Sequence, residues 1–407
     1  MSDLVSGPRG RHLLYRLAEL SDESGELARA MMSLEMRLAP SDDSTIMPSF
    51  QPLGFFSRLF YRIDDEDGTF SLRFPRLGLP SLWSPVVWLR SRRPVRSMSS
   101  WSARAVRGPG FDSEKNLVTP AGIAARIDTL PGSSDLELLS QALEISVSSA
   151  MYWQEPEMVD RILDNPVIIA SLAAFETRSG LTPTMIEKLS AGEELSIEWI
   201  MDLPIVEGEQ GDAEADVVLD RWALNTMANV KAAERERPTD PTANWSGNWF
   251  SIPPYGLVSS NRQAPDGVPA GLRYVEDGSI WERAVIRKIT AEAHMFVIDS
   301  VTDWVRLCDA HPLDVTAEVR HDWYRTTGRD STWIIPNWRD VARDWGAVRM
   351  TINGYLTSAT KAIRVRDGES MIAGWNPGQT YWLTDVEQGL PETWIQVDYD
   401  QWEKAEE

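Results

Sequence analysis

The sequence predicts an α+β protein: a helical N-terminal and middle region followed by a Trp-rich mixed α+β domain. Three observations carry this reading. Apolar residues recur at helical spacing through the first part of the chain. Short β-type runs replace them in the C-terminal part. Twelve of the 18 tryptophans lie between Trp245 and Trp402, four of them (Trp323, Trp333, Trp338 and Trp345) within 23 residues. Each buried indole removes a large apolar area from water, so residues 245–407 are expected to supply their own core and to fold without the first 115 residues.

The elements follow in order. Leu13, Leu14, Leu17 and Leu20 make an apolar stripe, and Leu27, Met31, Leu34 and Leu38 resume it after the polar break Ser21 to Gly25. Two helices within residues 1–60 follow from this. Residues 61–115 read from composition as an Arg-rich segment expected to be of low order. The stretch 71–110 holds eight arginines and no acidic residue, with Trp83, Trp88 and Trp101 between them. Arginine with aromatics is a composition that grips phosphate, but a loose connection docked on an acidic body has the same composition. A stretch read in a shifted frame of GC-rich coding DNA has it too.

Residues 116–205 read as a helical domain. Thr119-Pro120, Glu155-Pro156, Asn165-Pro166 and Thr182-Pro183 place proline where a first helical turn tolerates it. Ser134 to Glu137 has the form of a capping box, followed by Leu136, Leu139, Leu143 and Val147. Residues 206–244 read as an acidic linker, because 206–216 carries five acidic residues and no basic one. In 245–407 the expected strands are 248–252, 256–260, 281–289, 294–299, 314–319, 348–352 and 380–383. Helices are expected after Ser300, carrying Trp304, Leu307 and Cys308, and over 337–345.

The formal net charge of -21 disfavours nucleic-acid and anionic-lipid partners. A single cysteine excludes an intramolecular disulfide and points to a reducing compartment. The first residues lack the apolar core of a signal peptide, and no apolar run approaches the ~18 residues of a membrane span. A soluble, cytoplasmic protein is expected. Phosphate-loop, dinucleotide, HExxH, EF-hand and GxSxG motifs are absent. Four histidines and one cysteine are a poor ligand supply, so no metal site and no cofactor are expected. Ser358-Ala-Thr-Lys361 matches SxxK without the companion motifs and is discounted.

The densest polar stretch is Arg320-His321-Asp322-Trp323-Tyr324-Arg325-Thr326-Thr327-Gly328-Arg329. His321 is an acid or base near neutral pH, and Arg325 can hold a carboxylate or phosphate through two parallel hydrogen bonds. The alternative for this stretch is a hairpin turning at 327–330, with Trp323 and Trp333 packed across its arms. A second candidate runs from Trp249 through Tyr255 to Arg262, where Ser259, Ser260 and Arg262 can line a cleft. An edge strand, a proline turn and a second strand are the alternative there. The turn Asn353-Gly354-Tyr355 is a weaker third.

Several strings resemble a group of Trp-rich proteins from actinobacterial genomes to which no activity is attached. They are Tyr152-Trp-Gln-Glu-Pro156, His321-Asp-Trp-Tyr-Arg-Thr-Thr-Gly328, Ile335-Pro-Asn-Trp338, Gly354-Tyr-Leu-Thr357 and Ala373-Gly-Trp-Asn-Pro377. The resemblance spans residues 140–385. The order of a Ser-rich strand at 249–260 and an acid at Glu318 also resembles ADP-ribosyltransferase-like domains. Thr316 stands where that family carries a Glu or Gln two residues before its catalytic Glu. That resemblance implies an enzyme acting on a nucleotide or phosphate-bearing ligand through Glu318, His321 and Arg325. The residues themselves point instead to a binding or interaction protein, with an unspecified protein or small-molecule ligand recognised through Trp249, Ser259, Arg262, Trp323, Tyr324 and Arg325.

Overall fold

The computed structural model describes residues 3–38, 61–64, 70–73, 118–152, 154–200, 214–276, 282–398 and 401–405. Most of the arginine segment therefore lies outside the described residues. Only the backbone of β1 (Tyr61–Asp64) and β2 (Phe70–Arg73), an antiparallel pair, is described between residues 39 and 117.

The helices begin where caps and prolines place them. Helices α1 (Pro8–Leu20) and α2 (Glu26–Leu38) flank the break at Ser21 to Gly25. The Asp22 carboxylate accepts from the Leu27 amide at 2.8 Å and is held by Arg126 at 2.7 Å. Helices α3 (Pro120–Thr129), α6 (Pro166–Ser179) and α7 (Pro183–Ile186) each carry proline in the first turn. The side chains of Thr119, Asn165 and Thr182 accept hydrogen bonds from Gly122, Val167 and Met185 amides at 3.1–3.2 Å. Helix α4 (Leu136–Ser148) starts one residue later than the capping-box pattern suggests, with Asp135 as the cap. No helix starts at Glu155-Pro156; α5 (Met158–Leu163) begins beyond it.

Two segments differ from the expectation. Within the block read as all-helical, Glu194–Trp199 is a strand, β3. Its Leu195, Ile197 and Trp199 alternate with polar residues, the period of a strand. Within the stretch read as a linker, Ala215–Glu236 is the long helix α8. It packs on helices of the C-terminal region. Its charges mask a buried line through Val218, Leu219, Thr226 and Ala233, with Trp222 half-buried beside it.

The C-terminal region supplies β4 (Ser259–Arg262), β5 (Arg283–Thr290), β6 (Met295–Ile298), α9 (Val301–Ala310), β7 (Pro312–Asp314), α10 (Thr316–Thr327), β8 (Ile334–Pro336), α11 (Trp338–Val341), β9 (Ala347–Met350), α12 (Ile352–Ser358), β10 (Ile363–Val365), β11 (Gly368–Ser370), β12 (Thr380–Trp382), β13 (Glu387–Gln388), β14 (Glu392–Asp398) and β15 (Gln401–Lys404). The main sheet runs β15-β14-β5-β3-β4-β12-β9-β6, with β13 on the end of β5. All neighbours in that order are antiparallel except β6 and β9. A parallel pair needs a long crossover, and this one holds α9, the β7–β8 pair, α10 and α11.

The fold is α+β, and its core crosses residue 245. One apolar cluster joins Leu13, Leu14 and Leu17 of α1 to Tyr355 and Leu356 of α12. Strand β3 pairs with β5 on one side and β4 on the other. The sheet therefore draws a central strand from residues 194–199, upstream of the segment expected to stand alone. Trp304, Trp323, Trp333, Trp338 and Trp375 are fully buried.

From this arrangement, residues 245–407 expressed alone will lack β3, leaving the facing edges of β4 and β5 unpaired. The expected outcome is a weak near-UV circular dichroism spectrum with no cooperative melt. The full chain, which retains both β3 and the α1 packing on α12, should show a strong spectrum and a cooperative melt. A sharp melt of 245–407 by itself would contradict this.

Candidate functional site

Of the stretch 314–319, expected as a strand, only Asp314 ends a strand, β7, while Val315 precedes and residues 316–319 begin α10. The Asp314 carboxylate accepts from the Thr316 amide at 2.9 Å, and Gly328 closes the helix in the left-handed region, φ 66°. Val319, Asp322, Trp323 and Thr326 follow at helical spacing and are all buried. The hairpin alternative for 320–330 is thereby replaced, although Trp323 and Trp333 do meet edge to face, with ring centroids 5.1 Å apart. Helix packing, rather than cross-strand pairing, makes that contact.

Asp322 is fully buried and fully engaged. Its carboxylate accepts from the Ser246 hydroxyl at 2.8 Å and the Gly247 amide at 2.9 Å, and it pairs with Arg325. Arg325 also donates to the Trp245 carbonyl at 2.8 Å. The Trp323 indole donates to the Trp249 carbonyl at 2.9 Å. Together these bonds tie the segment 245–249 along α10. An added Cβ at Gly247 would come within 2.3 Å of the Arg237 guanidinium, so that flexible side chain would have to shift. That guanidinium donates to the Glu318 carbonyl at 2.7 Å.

Beyond the tie, the chain makes an aromatic corner. Trp249 stacks on Tyr152 with centroids 5.7 Å apart, and Phe250 lies against Trp249. Tyr255 meets Phe250 edge to face, at 5.3 Å and 89°. Between this corner and the α8 side chains of Trp222 and Thr226 lies a cavity of about 100 Å³. Glu318, from α10, is the one charged residue on its lining. Its side chain is 3% exposed. Burial holds the carboxyl above the ordinary 4.5, against the opposing pull of Arg237 and a hydrogen bond from Asn229.

The expected site residues separate. Glu318 lines the cavity, whereas His321 and Arg325 do not. His321, one turn on, is 1% exposed, with neither ring nitrogen hydrogen-bonded. Burial lowers its pKa below 6.5, and Arg320 and Arg325 add to the shift while Asp322 opposes it. Trp323 is core, and the Tyr324 carbonyl serves the Gly328 cap. Trp249 supports the corner from behind. Ser259 and Arg262 lie on β4 in the sheet, where Arg262 donates to Glu194 at 2.9 Å. Glu194 also takes Ser260 at 2.8 Å and Arg349 at 2.6 Å, a network that crosses the sheet. Trp222 and Thr226 escaped the sequence reading because they sit in the stretch read as linker. The line from Val218 through Trp222 and Thr226 to Ala233 is the signal that would have found them.

Among the described residues, no group of three or more His, Cys, Asp or Glu side chains could hold a metal ion. No described helix is long and apolar enough to cross a membrane. Cys308 is buried, and burial pushes its thiol pKa up. No protein-family model, curated protein or solved structure matches the chain.

Two outcomes follow from the buried titratable groups. Because His321 is held neutral when folded, the unfolded chain binds the extra proton below about pH 6.5, and stability falls as pH drops through that value. His321→Phe should reduce this acid loss in denaturant titrations across the range. Part of it will remain, because His12 is buried and shifted in the same direction. An unchanged pH slope would refute the assignment. For Glu318 the sign is opposite: its raised pKa means that the ionised form costs stability at neutral pH. Glu318→Gln should therefore raise Tm at neutral pH, with the gain vanishing as pH falls through the folded-state pKa.

Proposed function

We propose that this is a binding protein that recognises a small ligand in the cavity between α8, α10 and the 248–255 turn. The observation that carries this reading is the lining itself: aromatic walls around one buried carboxylate whose ionised form works against stability. Groups held at a cost to the fold cluster at functional sites. The cavity is small beside the roughly 300–1,000 Å³ of drug-sized pockets, so it suits a head group rather than a whole cofactor. Tyr255 is 68% exposed and stands at its rim.

The competing reading, an enzyme acting on a nucleotide, needs Glu318, His321 and Arg325 around one substrate. The geometry lends it no support, since Arg325 is committed to Asp322 and the Trp245 carbonyl and His321 is enclosed.

A thermal-shift screen of small organic molecules tests the binding reading. A ligand for the folded state raises Tm with concentration. Asn248, exposed and on the lining, is the place to block entry. Asn248→Trp should leave the melt of the unliganded protein unchanged and abolish the ligand-induced shift. Hits that stabilise wild type and Asn248→Trp alike, or an absence of hits, would reject the cavity as the recognition site.

A further inference from the structure

We propose that the cavity accepts a small alkylammonium cation, such as the head group of a choline-like molecule, caged by Trp222, Phe250 and Tyr255 over the Glu318 carboxylate. The inference rests on the binding reading above and specifies its ligand class.

Three observations carry it. First, Phe250 and Tyr255 stand at 89° to each other, with Trp222 on the same lining. Rings at right angles give the lining two ring planes rather than the single plane of a parallel stack. The negative face of an aromatic ring attracts a cation, and quaternary ammonium groups are the ligands such cages take. Second, the charge is of the matching sign. Glu318 is the one charged lining residue, and no basic side chain competes for the interior. An anionic ligand would meet a buried carboxylate and an aromatic wall, both repulsive. Third, the carboxylate is under-compensated. Arg237 and Asn229 pull toward ionisation, yet burial outweighs them, so a cation entering the cavity adds to the stabilisation of the carboxylate that Arg237 gives in part. The cavity of about 100 Å³ limits the entering group to ammonium-sized heads.

A weakly hydrated, methylated ammonium is favoured over a bare one, because the aromatic and proline surfaces of the lining (Pro253 and Pro254 among them) cannot hydrogen-bond to N–H groups. Binding involves no covalent step. Glu318 and the rings act by electrostatic attraction and by excluding water.

The test is isothermal titration calorimetry on the full chain at neutral pH with choline and its neutral carbon isostere, which carries a tert-butyl group in place of the trimethylammonium. Choline should bind, and the isostere should bind at least about tenfold more weakly, because only the charge differs. Glu318→Gln should weaken choline about tenfold while leaving the isostere unaffected. Tyr255→Leu, at a position 68% exposed where leucine keeps an apolar contact with Phe250, should weaken choline about fivefold with at most a small change in Tm. Equal binding of choline and the isostere would overturn the cation inference while leaving the cavity a binding site. Binding of neither in these titrations overturns the inference, and the separate small-molecule screen then decides whether the cavity binds anything. Phosphatidylcholine vesicles form a control arm. Co-sedimentation with them would overturn the small-molecule assignment, since the proposed ligand is a soluble molecule and the recessed cavity should not reach a bilayer head group.

Discussion

The Asp322 carboxylate is the interaction on which the rest of the candidate site depends. A fully buried charge is tolerated only when paired and hydrogen-bonded, and this one is satisfied by Ser246, Gly247 and Arg325. Those bonds lay the segment 245–249 along α10. Once it lies there, Trp249 falls against Tyr152, Phe250 against Trp249, and Tyr255 against Phe250. The aromatic corner is thus an outcome of where one carboxylate finds its donors. The Trp323 indole secures the same segment from a second point, by donating to the Trp249 carbonyl.

The crossover between β6 and β9 positions all of this. Parallel neighbours oblige the chain to leave the sheet and return, and the excursion carries α9 to α11. Helix α8 packs on α10 and α11, with Arg339 pairing to Asp216 and Asp220. The second wall of the cavity therefore comes from a helix well before the crossover in sequence. The site sits between the excursion and α8, which suits recognition of a small group, while the sheet carries its own ionic network around Glu194.

Much of the local structure was legible in the residues. Thr119, Asn165 and Thr182 announce their helices because a cap is a contact between near neighbours. The break at Ser21 to Gly25 and the helix after Ser300 are legible for the same reason. Failures came where a local pattern had competing readings. The Glu194–Trp199 alternation is short and follows a helical block, and the charge of 206–216 disguised the helix that starts at Ala215. Residues 314–319 carry β-type side chains, but their helix is set by the Asp314 bond and by burial of Val319 and Trp323.

The sequence by itself determined the α+β class, the helix starts and the concentration of indoles in a packed C-terminal region. These depend on residues close in the chain or on composition alone. It also singled out Glu318 and the stretch from Trp249 to Tyr255, without indicating that they meet. Only the tertiary structure decided that β3 joins the sheet, that α1 packs on α12, and that Trp222, Phe250, Tyr255 and Glu318 line one cavity. It also separated His321 and Arg325 from that cavity, although both share a helix with Glu318. The physical reason is distance along the helix. His321 and Arg325 stand three and seven residues after Glu318, on the same side of α10. They lie about 4.5 and 10.5 Å further along its axis, where Arg325 reaches the Trp245 carbonyl. Neighbours in sequence are thereby sent to different surroundings, and only packing chooses which of them meets a ligand.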